Sequence, residues 1–188
     1  MKVGIIAEDA SDILAIKTLI CRIIKKPSIS SESHNGKGSG KFISKCKSWA
    51  DDLKEKKCSV LILINDLDTN NINKLLKDLK IALTPCPIAK YLICVPIQEI
   101  EAWLLSDPDG IKKALKLKKL PVVKCNPEHI KSPKEFLWNA VSKASNKRKA
   151  YIDTAHNKII SEKICLDLIK SKCTSFVPFY DFVLANVK

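Results

Sequence analysis

The sequence predicts an α/β fold: a four-stranded parallel sheet flanked by helices, with a C-terminal helical extension. Three observations carry this expectation. Short apolar runs near 2–7, 59–65 and 90–95, with a weaker alternating stretch at 28–33, have the length of strands. Segments with apolar residues at helical spacing lie between them, the alternation that parallel βαβ units produce. One run, Val60–Ile64 (VLILI), lacks the apolar–polar alternation of a half-exposed strand and reads as a strand covered on both faces.

Taken in order, Lys2–Ala7 is a strand that ends at Glu8. Ile13, Ile16, Leu19, Ile20 and Ile23 then mark the buried face of a helix, with Ser11 or Asp12 as its N-cap and Pro27 beyond its end. Ser28–Ser33 is a weaker strand. HNGKGSGK, residues 34–41, is a glycine-rich loop without Walker A or dinucleotide spacing, where Lys37, Lys41 and backbone N–H groups could touch phosphate. Phe42–Lys57 reads as a helix with Phe42, Ile43, Cys46, Trp49, Ala50 and Leu53 on one face. After the central strand, a helix over 72–83 turns Leu75, Leu76, Leu79 and Ala82 inward and stops at TPCP, residues 84–87. Tyr91–Pro96 is the fourth strand.

A helix follows with Ile100, Trp103 and Leu104 as its apolar face, and Asp107–Gly110 reads as a turn. The rest reads as a basic helix (IKKALKLKK) from Ile111, a helix over 134–144, and a final pair near 156–171 and 178–186. Ser132-Pro133-Lys134-Glu135 has the pattern of a capping box. Residues 1–110 thus form an α/β domain, and residues 111–188 an extension packed on it, with too few apolar residues for a second core.

Composition narrows the function classes. Hydrophobic residues make up 46% of 188, which fits a globular chain. No apolar run is long enough to span a bilayer, and the N-terminus lacks a signal-peptide pattern, so a cytoplasmic protein is expected. Eight cysteines form no C-x-x-C pair, and three histidines show no zinc spacing. They read as reduced thiols, with Cys21, Cys94 and Cys165 behaving as small hydrophobes.

The net charge of +13 is concentrated. Residues 111–149 hold 12 basic and 2 acidic side chains, against 16 and 14 in residues 1–110. Lys112, Lys113, Lys116, Lys118, Lys119, Lys147, Arg148 and Lys149 are the candidate contacts for a polyanion, and a solvated lysine-rich surface is the alternative.

The chemistry sits at strand ends. Ser59–Asn70 (SVLILINDLDTN) delivers Asp66 and Asp68, one residue apart, beyond the carboxyl end of a buried strand, where α/β sheets place ligands. Glu8 ends the first strand in the same way. Oxygen donors of this kind suit Mg²⁺. Helix capping competes for Asp66, Asp68 and Asp12. Glu99 and Glu101 open the helix after the fourth strand, where the helix dipole alone favours acids. Of the two, Glu101 is preferred as a member of the site.

An acid after the first strand, a glycine-containing loop after the second and Asp66-x-Asp68 after the third resemble the Toprim domain, which is Rossmann-like. That superfamily includes catalytic domains of topoisomerases, primases and overcoming-lysogenization-defect nucleases. QEIEAWLLSDP and KCTSFVPFYDF also resemble segments of small stand-alone Toprim-like bacterial proteins, for which ATPase partners and phage defence are recurring associations. The resemblance implies that Glu8, Asp66 and Asp68 hold Mg²⁺ or Mn²⁺, with Asp12 as a second acid near the first strand. Asp9 is a departure, since a glycine usually follows the first-strand glutamate.

The expected function is therefore a metal-dependent nuclease acting on nucleic acid, DNA ahead of RNA, in phage defence or DNA repair with an ATPase partner and no membrane. Glu8, Asp66 and Asp68 would be catalytic, and Glu8, Asp12, Asp66, Asp68 and Glu101 would surround the metal. A non-catalytic Toprim-like subunit or regulator of an ATPase complex is the alternative. A phosphotransfer receiver ranks last, for want of a fifth strand.

Overall fold

The computed structural model describes residues 1–36 and 42–188. Lys37 and Lys41, the phosphate candidates of the glycine-rich loop, lie outside the described residues. Four strands, β1 (Lys2–Ala7), β2 (Ser30–Asn35), β3 (Val60–Ile64) and β4 (Lys90–Cys94), form one all-parallel sheet in the order β2-β1-β3-β4. Helices α1 (Ala10–Ile23), α2 (Phe42–Glu55) and α3 (Ile72–Leu83) connect them in turn.

Side chains alternate across a strand, so each strand feeds two cores. Val60, Ile62 and Ile64 of β3 join Val3, Ile5 and Ala7 of β1 under α1 and the C-terminal helices. Leu61, Leu63 and Ile6 point the other way, into a second cluster under α2 and α3. This two-sided burial explains the unbroken VLILI run. Gly4 lets α2 come close: a Cβ there would stand 3.0 Å from the Leu53 side chain.

The chain crosses from β2 past β1 to reach β3, so the direction of winding changes between β1 and β3. A crevice opens at the carboxyl ends of strands where this happens. Glu8 directly follows β1 and Asp66 lies two residues beyond β3, at that point of the topology.

The remaining helices are α4 (Glu101–Leu104), α5 (Pro108–Leu115), α6 (Pro133–Ala144), α7 (Asp153–Ser161), α8 (Leu166–Lys172) and α9 (Phe176–Asn186). They pack on the α1 side of the sheet, where α7 lies along α1 and α9 against β4. Trp103, Phe176 and Phe179 are fully buried there, with Trp103 5.0 Å and 5.6 Å from the two phenylalanine rings, centroid to centroid. No described helix is long and apolar enough to cross a membrane.

Several boundaries differ from the sequence expectation. The N-cap of α1 is Asp9, and Asp12 is the third helical residue of its capping box. Asp107 caps α5 by accepting from the Gly110 N–H at 3.0 Å, so the expected turn at 107–110 is a helix start. The expected basic helix to Lys119 ends at Leu115, because Lys116 turns left-handed with φ 49°. The expected helix 156–171 is two, α7 and α8, and the Cys165 N–H between them donates to Asp107 Oδ2 at 2.8 Å. Cys165 is exposed at the start of α8, not a core hydrophobe.

Candidate acidic site

The site is built by two strand ends, one helix start and the short helix α4. Beyond β3, pairing with the β4 side continues: the N–H groups of Asn65, Leu67 and Asp68 donate to the carbonyls of Cys94, Pro96 and Gln98 at 3.0–3.2 Å. These bonds hold Asp66 and Asp68 in a fixed frame. Asp68 and Gln98 both adopt left-handed φ values, 48° and 64°. Aspartate tolerates that region better than most residues, at a modest cost in strain.

Five carboxylates converge here: Glu8, Asp12, Asp66, Asp68 and Glu101. Asp12 and Glu101 are only 7% and 4% exposed, Glu8 and Asp66 are half-buried, and Asp68 is exposed. Burial raises Glu8 from the usual carboxylate range to about 7, and Asp68 and Asp9 add to the rise. The nearby Asp66 backbone amide partly opposes it. Burial, then the charge of Glu101, lifts Asp12 to about 7 as well. Asp66 stands well above the ordinary range through desolvation and through Asp12, Glu101, Glu8 and Asp68. Asp68 is raised by the desolvation it feels. Burial and mutual crowding together make Glu8, Asp12 and Asp66 resist ionisation, and a bound cation would relieve the repulsion.

Two members have other duties. Asp12 Oδ2 accepts from the Asp9 N–H at 3.2 Å. Glu101 Oε1 accepts from the Tyr151 hydroxyl at 2.8 Å and the Asn157 amide at 3.3 Å, and Tyr151 also hydrogen-bonds Asn157. Burial raises Glu99, two residues earlier, and Glu101 and Asp68 add to the rise; its Oε2 accepts from the Lys134 N–H at the start of α6 at 2.7 Å, which opposes it. The Lys134 ammonium pairs with Asp153. Burial pulls the Lys134 pKa down, but Asp153, Glu101 and Asp9 more than compensate.

The donor chemistry of the cluster, all carboxylate oxygen, fits a hard divalent ion. Among the described residues no group of three or more His, Cys, Asp or Glu stands in an arrangement ready to hold a metal. The acids therefore share one electrostatic neighbourhood without forming a closed ligand shell.

The basic candidates are dispersed. Lys112 and Lys113 lie in the last turn of α5, while Lys118 and Lys119 lie on the exposed segment after it. Lys147 and Arg148 are exposed just beyond α6. Lys149 has a structural task, donating through Nζ to the carbonyls of Leu115 and Lys116 at 2.6 and 3.4 Å, where α5 ends.

Sequence reasoning missed Tyr151, Asn157 and Lys134, which no local pattern ties to the acids. It also missed Glu128, which is 6% exposed and accepts four hydrogen bonds from the backbone and side chains of Thr174 and Ser175 at 2.6–2.9 Å. Glu128 thus fixes the start of α9.

Residues 7–184 match a family described as a domain of unknown function, DUF4276. No curated protein and no solved structure matches the chain. The family match runs from the last residue of β1 almost to the end of α9, and the chain belongs to the DUF4276 family.

Proposed function

We propose that this chain is a Toprim-like, Mg²⁺- or Mn²⁺-dependent nuclease, acting in the cytoplasm on DNA ahead of RNA. One observation carries the reading: Glu8 and Asp66 lie beyond the carboxyl ends of adjacent parallel strands where the winding reverses, and both acids are raised by burial, with the charge of Glu8 adding to the rise of Asp66. A divalent ion bound there supplies Lewis-acid polarisation of phosphate and an activated water. Asp66, Asp12 and Asp68 provide its oxygen neighbourhood. Glu8, more accessible than Asp12 and raised to about 7, accepts a proton near neutral pH. Lys134, beside Glu101, offers positive charge at the rim.

A second reading is a non-catalytic subunit of an ATPase complex in phage defence or DNA repair. The hydrogen bonds that already engage Asp12 and Glu101 favour it. One experiment separates the two. Labelled single- and double-stranded DNA and RNA are incubated with the pure protein and Mg²⁺ or Mn²⁺, beside Asp66→Asn and a chelator control. Cleavage lost in Asp66→Asn and in chelator supports the nuclease. Cleavage that survives Asp66→Asn rejects this mechanism, and no cleavage by the wild type favours the subunit.

A further inference from the structure

The exposed face of α6 carries a feature that the acidic site does not use. Trp138 is 48% exposed, although Trp103, the other indole of the C-terminal half, is fully buried. A tryptophan left open to water forgoes much of its burial energy, and aromatic side chains so placed are common where a ligand stacks. Trp138 lies on the wall of an open cleft of about 830 Å³, together with Ser142, Lys143, Lys147 and Arg148. Among the described residues, Lys143, Lys147 and Arg148 make no ion pair. The turn that carries Lys147 and Arg148 follows directly from α6: Asn146 and Lys147 are both left-handed, with φ 54° and 62°, and the Lys147 N–H closes the end of α6 on the Ser142 carbonyl at 2.7 Å.

Trp138 is shared with a second cleft of about 680 Å³, lined also by Lys134, Tyr151 and Asp153. Tyr151 is the residue that hydrogen-bonds Glu101, and Lys134 is the cation that feels Glu101 and Asp9. The two clefts therefore run from unpaired cations, past an open indole, to the back of the acidic cluster.

We propose that this track binds single-stranded nucleic acid, with a base stacked on Trp138 and phosphates held by Lys147 and Arg148. This deepens the nuclease reading and rests on it for its purpose, but not for its test. A duplex keeps its bases stacked on one another and offers none to an indole, so the combination favours an unpaired strand. The cations follow the backbone without reading sequence.

The test measures binding in EDTA, where no metal-dependent cleavage occurs. Labelled oligo-dT, oligo-rU and a mixed-sequence duplex are titrated into the full chain by anisotropy. Wild type should bind single strands more tightly than duplex, with quenching of tryptophan fluorescence. Trp138→Ala should weaken single-strand binding about fivefold or more and abolish most of the quenching, while Trp138→Phe restores most of the affinity. Lys147→Ala with Arg148→Ala should lower the salt slope by about 0.7 for each phosphate that is no longer neutralised. The dT and rU arms assign DNA or RNA. Equal affinity for duplex and single strand, or single-strand binding indifferent to Trp138→Ala, would overturn the proposal even if the protein cuts DNA. Trp138-dependent binding without any cleavage would leave this track standing and remove the nuclease reading.

Discussion

Glu8 and Asp66 stand just beyond the ends of two neighbouring parallel strands, near enough that the charge of Glu8 adds to the burial that raises Asp66. Burial and the charges of Asp68 and Asp9 raise Glu8 in its turn. The site therefore costs the fold stability when its acids ionise, and this has a direction in pH. Glu8 and Asp12 both rise to about 7 from ordinary values of 4.5 and 3.8. The native state then binds more protons than the unfolded chain between about pH 4 and 7. Their contribution is fully present below about pH 4 and is lost as pH rises through about 7. In EDTA, the melting temperature of wild type should fall relative to that of Asp12→Asn from about pH 5 to about pH 8. Scanning fluorimetry across that range checks it, and parallel curves would contradict it.

Glu99 and Glu101 should respond differently to the same substitution. Glu101 shares the electrostatic field of Asp12 and Asp66, while Glu99 is bonded to the α6 backbone. Glu101→Gln should weaken Mn²⁺ binding by roughly tenfold, a loss of about 1.4 kcal/mol. Glu99→Gln should change it less and instead destabilise the chain by about 1 kcal/mol through the lost charge-assisted bond. Metal titration and urea unfolding of the two variants provide the comparison.

Glu128 supports the C-terminal helices. Glu128→Ala removes the acceptor of two backbone N–H groups and two hydroxyls at the start of α9, and should cost about 2–4 kcal/mol. Glu128→Gln should recover part of this. Urea denaturation measures both.

Gly110 is where α5 meets the segment after α7. A Cβ there would lie 2.7 Å from Asp107 Oδ2 and 2.7 Å from the Ile164 Cα, and the backbone cannot move aside as a side-chain tip can. Gly110→Ala should therefore destabilise by about 1–3 kcal/mol, despite alanine's better helix propensity. The same unfolding assay checks it.

The buried strands are legible in the sequence because burial writes itself into composition, whereas β2 (SSESHN), with no apolar and no buried residue, lies two residues beyond the expected 28–33. VLILI reads as a strand covered twice, and the two core clusters on either face of β3 are the reason. The helix expected over 72–83 matches α3, since its inward leucines recur at helical spacing. The C-terminal boundaries are less legible. Asp107 looks like a turn residue because a cap and a turn use the same side chain, and only the distant Cys165 N–H shows the second bond it makes. Position alone gives little ground for preferring Glu101 to Glu99. The reason for their difference, Tyr151 and Asn157 on one and Lys134 on the other, lies 35 or more residues away in the chain. Lys149 reads as a surface cation because nothing local reveals that it closes α5.

Isothermal titration of the chain with Mn²⁺ near pH 6.5, in two buffers of different ionisation enthalpy, tests the acidic cluster most directly. Saturable uptake is expected in the wild type, with a buffer-dependent heat because Glu8 and Asp12 give up protons as the ion enters, and both should be lost in Asp66→Asn. An absence of uptake in either buffer, or uptake unchanged by Asp66→Asn, would contradict it.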